Sequence, residues 1–358
     1  MTRTMPRILT IVGARPQFIK AALVSEAMDG HCDEIVVHTG QHYDAMMSQA
    51  HFDDLRMRAP RHHLDVGSGS HGEQTAEMLR RLEPLVVAER PSAVLVYGDT
   101  NSTLAGALVA AKLNVPVAHV EAGLRSFNRA MPEEINRIVT DHLAQLLFAP
   151  TEHAAELLRA EGIVAGVIVV GDVMVDLVRR TAAALPAHPP LLDELGLEPG
   201  HYGVLTVHRA SNTADTVLFA GLVRAAGRLG FPVVFPVHPR ARPLIAAAEP
   251  APGVRIVDPL PYSSMVALLR SARVLLTDSG GLQKEAYALS VPCVTLRAET
   301  EWTETLEDGW NRLAGTGEDA IVAAAAAPRP TVPPQEHYGD GHAARKVVDA
   351  LISAFGRT

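Results

Sequence analysis

The sequence predicts an α/β protein with two domains, each built on a doubly wound parallel sheet. The chain has 358 residues, which exceeds one typical hydrophobic core and suits two domains of roughly 150–200 residues each. Short apolar runs of strand length alternate with Ala- and Leu-rich segments of helix length. Because the runs are continuous rather than alternating, they are typical of parallel strands that are buried on both faces.

Each predicted element rests on one such run. In the first half, strands are predicted at Ile8 to Val12, Glu34 to His38, Ala93 to Tyr97 and Val115 to Val120, with helices at Gly72 to Val87 and Ser102 to Leu113. In the second half, strands are predicted at Tyr202 to Val207, Val233 to Val237, Val254 to Val257, Val274 to Thr277 and Pro292 to Leu296. An amphipathic helix is predicted from Ala343 to Phe355. Both halves therefore have the βα rhythm of a Rossmann-like domain.

A segment rich in Pro and Gly, residues 181–202, interrupts the rhythm and predicts a linker. We therefore expect an N-terminal Rossmann-like domain over residues 1–180 and a C-terminal one over residues 203–341, with a cleft between them.

Composition excludes several classes of protein. The formal charge is 32 − 40 = −8 without a basic cluster, which argues against a nucleic-acid or anionic-membrane partner. Two cysteines, Cys32 and Cys293, are too few for a disulfide scaffold or a Cys-based zinc site. No apolar run approaches the ~20 residues of a membrane helix, and the N-terminus does not resemble a signal peptide. We expect a cytoplasmic protein.

Carboxylates follow two of the predicted strands. Asp99 comes after the run that ends at Tyr97, and Glu121 follows Val120 directly. In an open α/β sheet, ligands bind beyond the carboxyl ends of the strands. Asp99 could instead cap a helix, a role that Glu121 suits poorly. Two carboxylates at neighbouring strand ends favour acid/base chemistry.

Two further carboxylates follow a proline in the segment Pro132-Glu133-Glu134. A proline and acidic residues are typical of the first turn of a helix. One glutamate is accounted for by that role, and the other lies on a different face and is available for chemistry.

Two turns favour phosphate binding. Residues 13–20 (GARPQFIK) follow the first strand, and Arg15 lies where a helix N-terminus would hold an anion, although a solvated arginine in a βα turn is the structural alternative. In the second half, Ser279-Gly280-Gly281 opens a helix with bare backbone N–H groups that can hold a diphosphate. Glu285, one turn further on, can accept ribose hydroxyls. His208 and His238 end two further strands and face this turn, which favours phosphate binding over a purely structural role for them.

Two other patterns are not functional sites in our interpretation. Residues 67–72 (GSGSHG) match a dinucleotide fingerprint, but the strand before them is weak and no acidic residue follows at the required distance. The 16 histidines show no spacing typical of metal ligands. We expect neither a metal nor a cofactor.

Eight segments together resemble the non-hydrolysing UDP-N-acetylglucosamine 2-epimerase family. They are residues 13–20 (GARPQFIK), 39–42 (TGQH), 97–103 (YGDTNST), 119–126 (HVEAGLRS), 132–137 (PEEINR), 206–209 (TVHR), 236–239 (PVHP) and 278–286 (DSGGLQKEA). The resemblance implies a GT-B fold with the active site in the cleft between the two domains. It also implies a homodimer and a C-terminal helix over residues 342–358 that packs back on the first domain.

The resemblance also implies a reaction that inverts C2 of UDP-GlcNAc to give UDP-ManNAc, without NAD or a metal. UDP leaves C1 while C2 is deprotonated, and it adds back to the 2-acetamidoglucal. By this resemblance Asp99, Glu121 and Glu133 are the acid/base carboxylates, and His208 and Arg15 stabilise the departing diphosphate. Ser279, Gly280, Gly281 and Glu285 bind diphosphate and ribose, His238 contributes to the substrate site, and Lys20 and Lys284 flank the two phosphate-binding turns.

The resemblance leaves the substrate open. Residues 67–75, and Trp302 in place of an arginine common in the simple enzymes, resemble a subgroup that includes 2-epimerases of UDP-2,3-diacetamido-2,3-dideoxyglucuronate. That uronate and a hydrolysing UDP-GlcNAc 2-epimerase are the alternatives. Surface-polysaccharide and specialised-metabolite pathways both use such enzymes. Because Asp44, His71 and Ala210 depart from the segments of substrate-activated members, we expect no activation by UDP-GlcNAc at a second site.

Overall fold

A parallel sheet forms the centre of the first half of the chain. The structure is a computed structural model that describes residues 5–41, 58–237, 241–247 and 251–356, with backbone only for residues 15, 16, 210, 246 and 247. Within these residues the strands are β1 (Arg7–Val12), β2 (Asp33–His38), β3 (His62–His63), β4 (Ala93–Tyr97), β5 (Val117–Val120), β6 (Leu146–Ala149) and β7 (Val167–Val169). All are parallel, in the order β3-β2-β1-β4-β5-β6-β7.

Helices connect these strands, as a parallel sheet requires. They are α1 (Arg15–Met28), α2 (His71–Glu89), α3 (Asn101–Lys112), α4 (Pro132–Leu143), α5 (Glu152–Ala160) and α6 (Val173–Ala184). Ser70 caps α2, and the Glu73 carboxylate accepts from the Ser70 backbone N–H in return. The segment that matched a dinucleotide fingerprint is thus the start of a capped helix. The predicted strand at 115–120 begins only at Val117, because Pro116 lacks an N–H.

The second half repeats the same plan. Its described strands are β8 (Gly203–Thr206), β9 (Val233–Pro236), β10 (Val254–Val257), β11 (Val274–Thr277), β12 (Cys293–Thr295) and β13 (Asn311–Leu313), parallel in the order β10-β9-β8-β11-β12-β13. The helices are α7 (Pro190–Glu194), α8 (Ala210–Thr213), α9 (Thr216–Gly227), α10 (Arg242–Ala247), α11 (Tyr262–Arg270), α12 (Gly280–Ala288), α13 (Glu304–Glu307) and α14 (Glu318–Ala326).

Both faces of the second sheet are buried. Val274 and Leu276 pack on one face with Phe235, whereas Leu275 packs on the other with Tyr202. Successive residues of a strand point to opposite faces, so a strand covered on both sides needs an unbroken apolar run. The continuous apolar runs of the sequence therefore correspond to parallel strands that are buried on both faces.

The chain divides into two compact units. Unit 1 comprises residues 1–177 and 336–358, and unit 2 comprises residues 178–335. The last helix, α15 (Ala343–Phe355), packs against α1 in unit 1, and the Ala344 N–H donates to the Asp176 carboxylate over 3.3 Å. In unit 2, part of the segment that was predicted as a linker, 181–202, forms α7, whose Leu192 is buried in the core beside Tyr202.

The strand order defines one ligand-binding edge in each unit. In both sheets the order of the strands reverses between the first and the fourth strand in sequence. These are β1 and β4 in unit 1, and β8 and β11 in unit 2. In doubly wound sheets, ligands bind at the carboxyl ends of the strands that flank such a reversal. Within the described ranges, no helix is long and apolar enough to cross a membrane.

Candidate active site

Glu121 lies at the carboxyl end of β5 in an unusual backbone conformation. Its φ is +71°, in the left-handed region, which costs a residue with a side chain on the order of 1–3 kcal/mol. The N–H groups of Glu121 and Ala122 both donate to the Phe148 carbonyl over 3.1 Å, which holds the turn. The neighbouring strand β6 thus fixes the backbone position from which the Glu121 carboxylate extends.

Lys20 of α1 holds the Glu121 carboxylate. The two side chains form a buried ion pair and hydrogen bond. A Cβ built on Gly98 would lie 3.0 Å from the Lys20 Nζ and 3.2 Å from Glu121 Oε2, and Gly98 has a φ of +60°. Glycine suits this position, because a side chain would crowd the ion pair and would pay the cost of the left-handed conformation. The lysine that the sequence suggested as flanking a phosphate turn therefore contacts a candidate catalytic carboxylate.

Asp99 is paired with Arg137 of α4. Its Oδ2 accepts from Arg137 Nε over 3.0 Å and from Nη2 over 2.8 Å, and its side chain is 31% exposed. The helix that follows it is capped by Thr100, whose hydroxyl accepts from the Thr103 N–H. Asp99 therefore does not serve as the helix cap, so the structural alternative weighed for it does not apply.

The two glutamates of the first turn of α4 have different environments. Glu134 is buried and accepts from the Ser126 N–H and hydroxyl, the Phe127 N–H and Arg137 Nη1 over 2.8–3.0 Å. Burial alone would raise the pKa of Glu134, but these donors hold its pKa below the ordinary value. Glu133 is half-buried and makes no hydrogen bond or ion pair with any residue that the structure describes. Glu134 thus organises the turn, and Glu133 is the one available for chemistry.

The turn after β1 is closely packed. A Cβ on Gly13 would lie 2.0 Å from Thr39 Oγ1 and 2.2 Å from Ser102 Oγ, so only glycine fits. The side-chain carbonyl of Gln17 accepts from the Gly13 and Ala14 N–H groups over 2.8 and 3.1 Å. The helix α1 begins at Arg15, whose side chain lies outside the described part of the chain, so its predicted role stays a prediction.

In unit 2, Asp278 organises the end of β8. Its buried carboxylate accepts from the backbone N–H groups of His208 and Arg209 and from Asn212 Nδ2 over 3.0–3.2 Å. It also lies 3.0 Å from Nδ1 of His208, whose side chain is 47% exposed. Burial alone would raise the pKa of Asp278, but His208 and these N–H groups lower its pKa. A carboxylate on Nδ1 orients the imidazole and leaves Nε2 for a ligand.

The Ser279-Gly280-Gly281 turn opens α12 as predicted. Ser279 is the N-cap, and its hydroxyl accepts from the Leu282 N–H over 3.4 Å. A Cβ on Gly280 would lie 3.0 Å from both Glu301 Oε1 and Trp302 Nε1, so side chains from a later loop surround this turn. Glu285 is buried one turn further into the helix.

Lys284, which follows this turn in the sequence, is not exposed to solvent. It is fully buried, with Nζ 3.7 Å from the centroid of the Trp302 ring, which is close enough for a cation–π interaction. His238 lies outside the described residues, so its role stays a prediction. Among the residues that the structure describes, no group of three or more His, Cys, Asp or Glu side chains could hold a metal ion.

Sequence reasoning named the carboxylates but missed the groups that hold them. Arg137 and Asn136 belong to the same segment as Glu134, and an arginine three residues along a helix lies beside the first residue, as Arg137 does beside Glu134. That spacing was a usable signal for Arg137. Asp278 precedes the Ser-Gly-Gly turn and could have been suggested as a partner for the histidine that ends the neighbouring strand.

The chain is similar to known proteins over almost its whole length. The family model of UDP-N-acetylglucosamine 2-epimerase matches residues 26–352. A UDP-N-acetylglucosamine 2-epimerase homolog from Methanococcus maripaludis is 46% identical over 353 residues, covering 96% of this chain and 99% of the relative. The UDP-2,3-diacetamido-2,3-dideoxy-D-glucuronate 2-epimerase of Pseudomonas aeruginosa is 45% identical over 356 residues, with 96% and 99% covered.

A solved structure matches over almost the whole chain. It is the UDP-GlcNAc 2-epimerase of Methanocaldococcus jannaschii in complex with UDP-GlcNAc and UDP, with a TM-score of 0.90 and 37% identity, covering 97% of this chain and 99% of that one. Together with the two parallel sheets, this match identifies the GT-B fold. The family model and these relatives lead to one conclusion: the chain belongs to the UDP-N-acetylglucosamine 2-epimerase family, which is a family of isomerases.

Proposed function

We propose that this protein is a non-hydrolysing 2-epimerase that interconverts UDP-GlcNAc and UDP-ManNAc. The observation that carries the proposal is the set of three carboxylates at the edge of the first sheet, each in a different environment. Glu121 is paired with Lys20, Asp99 with Arg137, and Glu133 with no described residue. Membership of the family supports the same reaction class.

The chemistry explains why several carboxylates are needed. The C2 proton of the sugar is not α to a carbonyl, so enolisation is not available. A carboxylate removes this proton, the C2–H electron pair forms the C1–C2 double bond, and UDP leaves with the electrons of the C1–O bond. UDP then adds back to C1 of the 2-acetamidoglucal while a proton arrives at the opposite face of C2. The cycle is redox-neutral, and it needs acid/base groups on both faces of C2.

The cations in unit 1 allow several carboxylates to lie close together. Two carboxylates crowded near one carbon repel each other, and Lys20 and Arg137 offset that repulsion by compensating Glu121 and Asp99. Glu133 carries no such partner among the described residues and can exchange a proton without first breaking an ion pair. In our proposal Asp99, Glu121 and Glu133 share the proton transfers.

Unit 2 supplies groups suited to the leaving diphosphate. The Ser279-Gly280-Gly281 turn presents N–H groups at a helix N-terminus, which favours an anion. His208, oriented by Asp278, has Nε2 available to donate to a phosphate oxygen, where negative charge develops in the elimination. Glu285 is proposed to bind ribose hydroxyls, and Arg15 and His238 are proposed to contact the substrate.

Proton NMR of the purified protein with UDP-GlcNAc in D2O tests the reaction. We expect the anomeric signal of UDP-ManNAc to appear together with deuterium at C2 of both sugars. Glu121→Gln should abolish the exchange. Glu77→Gln, which changes a half-buried carboxylate paired with Arg80 on α2, should not. Exchange that persists in Glu121→Gln would remove Glu121 from the mechanism. Release of free UDP and ManNAc would show a hydrolysing epimerase instead.

The second candidate substrate is UDP-2,3-diacetamido-2,3-dideoxyglucuronate. The 45% identity to the Pseudomonas aeruginosa enzyme named for it favours this candidate, as does Trp302 beside the Ser279 turn. The same NMR assay distinguishes the two: turnover of the uronate alone would replace the first proposal while leaving the 2-epimerisation chemistry intact.

We further propose that the protein is a homodimer, on the basis of the family resemblance. Sedimentation equilibrium of the full chain tests this directly, because a monomer has a mass of 38.3 kDa. A single species at twice that mass is the expected result.

A further inference from the structure

His119 is a fully buried histidine that the proposed chemistry does not use. It lies in β5, two residues before Glu121, and its side chain has no exposed surface. Its Nε2 lies 2.7 Å from the carbonyl oxygen of Gly98, and its Nδ1 lies 2.7 Å from Oδ1 of Asp141 in α4. Both ring nitrogens therefore face oxygen atoms at hydrogen-bonding distance.

The hydrogen-bonding capacity of these oxygens determines the state of the ring. A backbone carbonyl can only accept, so Nε2 must carry a proton. The other oxygen of Asp141 accepts from the Gly123 N–H over 3.1 Å and from Arg125 Nη1 over 2.7 Å. The adjacent Arg125 guanidinium favours the ionised carboxylate over the neutral acid, and a carboxylate facing Nδ1 requires a proton on Nδ1 as well.

The protonation of Asp141 is consistent with this conclusion. Burial alone would raise the pKa of Asp141, but the hydrogen bond and charge of His119, together with Arg125, hold its pKa below the ordinary value. Asp141 is thus an acceptor toward all of its neighbours.

We propose that His119 is a positioning residue held as an imidazolium, and that it fixes the Gly98 carbonyl and so the turn that carries Asp99. The role in positioning rests on the proposed function, whereas the charge state of His119 does not. Gly98 is the residue against which Lys20 and Glu121 pack, so this single hydrogen bond acts on both carboxylates of the strand ends.

The surrounding charges balance. Arg125 donates to Asp141 and forms two hydrogen bonds of 2.7 Å to the partly exposed Glu161, so the network holds two cations and two anions. His142 lies 4.0 Å from the same Glu161 on its outer side. A buried cation is tolerated when it is paired and fully hydrogen-bonded, as His119 is here.

The groups on the other side of Gly98 are also paired. Lys20 is bound to Glu121, and Arg137 to Asp99. In the described structure, His119 is the side chain that is hydrogen-bonded to the Gly98 carbonyl. The imidazolium is therefore the group that connects the balanced network beneath the sheet edge to the turn above it.

Nitrogen-15 NMR of the full chain with labelled histidine tests the charge state. Subtraction of the His119→Gln or Asp141→Asn spectrum identifies the His119 signals. We expect two protonated ring nitrogens at pH 7 in the protein without substrate. A ring with one protonated and one bare nitrogen at pH 7 would overturn the proposal, whichever nucleotide sugar the enzyme uses.

Asp141→Asn separates charge from position. The amide oxygen can still accept from Gly123 and Arg125, which turns the amide N–H toward Nδ1 and forces that nitrogen to be an acceptor. His119 then becomes neutral but keeps its Nε2 proton for Gly98. We expect one His119 nitrogen to lose its protonated signal in this variant, and two protonated nitrogens in Asp141→Asn would contradict the hydrogen-bonding argument.

Two substitutions of equal size test positioning. His119→Gln can still donate to the Gly98 carbonyl, whereas His119→Met cannot. We expect His119→Met to lose kcat for C2 exchange roughly tenfold more than His119→Gln, the value of about one hydrogen bond, with similar KM in both. Equal kcat in two variants of equal thermal stability would overturn the positioning role, and if one variant does not fold, the spectra of the wild type and Asp141→Asn still decide the charge state.

Discussion

Each unit contains a histidine–aspartate pair, and the environments of the two pairs are opposite. His119 and Asp141 have no exposed side-chain surface, and both ring nitrogens of His119 are bound within the protein. His208 pairs with a buried Asp278, but its own side chain is 47% exposed. The same two residue types therefore form a closed pair in unit 1 and an open pair in unit 2.

The difference shows how burial determines the role that a histidine can have. A ring with both nitrogens satisfied inside the protein can hold its neighbours in place but cannot reach a ligand. A ring with one nitrogen on a carboxylate and the other toward solvent is oriented and still able to donate. We therefore expect the closed pair to matter for stability and turn geometry, and the open pair for chemistry.

The largest effect that sharpens this comparison is expected at His208. His208→Asn should lower kcat for C2 exchange by about 10²–10⁴-fold, because the group proposed to stabilise the leaving diphosphate is lost. Thermal stability should change little, since the side chain is half exposed. Exchange kinetics and thermal unfolding measure the two quantities.

His188 provides the matched control for this variant. It is 49% exposed and pairs with Asp193 over 2.9 Å, but it lies away from the strand ends. His188→Asn should retain wild-type kcat. If both variants lose activity equally, exposure beside an aspartate is not what makes His208 functional.

The next effect is expected on stability at the closed pair. Asp141→Ala should lower the free energy of unfolding by about 3–5 kcal/mol, because it leaves the buried His119 without a carboxylate and Arg125 with Glu161 as its remaining anionic partner. Asp278→Ala should cost less, about 1–3 kcal/mol, because it removes hydrogen bonds from a partly exposed turn. Urea unfolding of both variants tests the order, and a larger loss in Asp278→Ala would break the comparison.

The open pair and the candidate site residues at the strand ends were easier to predict from the sequence than the closed pair. His208, Ser279 and the carboxylates follow buried strands, and strand ends at one edge of a sheet meet whatever the details of packing. Most strands of the two sheets were likewise predicted from continuous apolar runs, although β3, β6, β7 and β13 were missed because strands of two to four residues carry little periodic signal.

The closed contacts could not be predicted in the same way. Lys20 and Glu121 are 101 residues apart, and His119 and Asp141 are 22 residues apart on a strand and a helix. Such pairs depend on how each helix rotates over the sheet, which a single sequence does not reveal. The left-handed backbone of Glu121 also has no signal, since glutamate rarely adopts it.

A smaller kinetic effect is expected from the aspartate of the open pair. Asp278→Asn keeps the size of the side chain but has a single acceptor oxygen, so it cannot bind all the N–H groups that the carboxylate binds. The His208 ring should lose its orientation, and kcat should fall by roughly 10–100-fold, with KM changed less. An unchanged kcat would show that His208 acts without orientation by Asp278.

The smallest effect expected is on the acid dependence of stability, to which both aspartates contribute in the same direction. Their folded-state pKa values are lowered, so each stabilises the fold fully above the unfolded pKa of about 3.9 and loses that contribution as pH falls through the lower, folded value. Thermal midpoints measured from pH 6 down to pH 3 should therefore fall less steeply in Asp278→Asn than in the wild type. Because Asp141 remains in that variant, part of the acid slope should persist. A slope identical to that of the wild type would show that the open pair contributes nothing to acid stability, and the comparison would then rest on the closed pair alone.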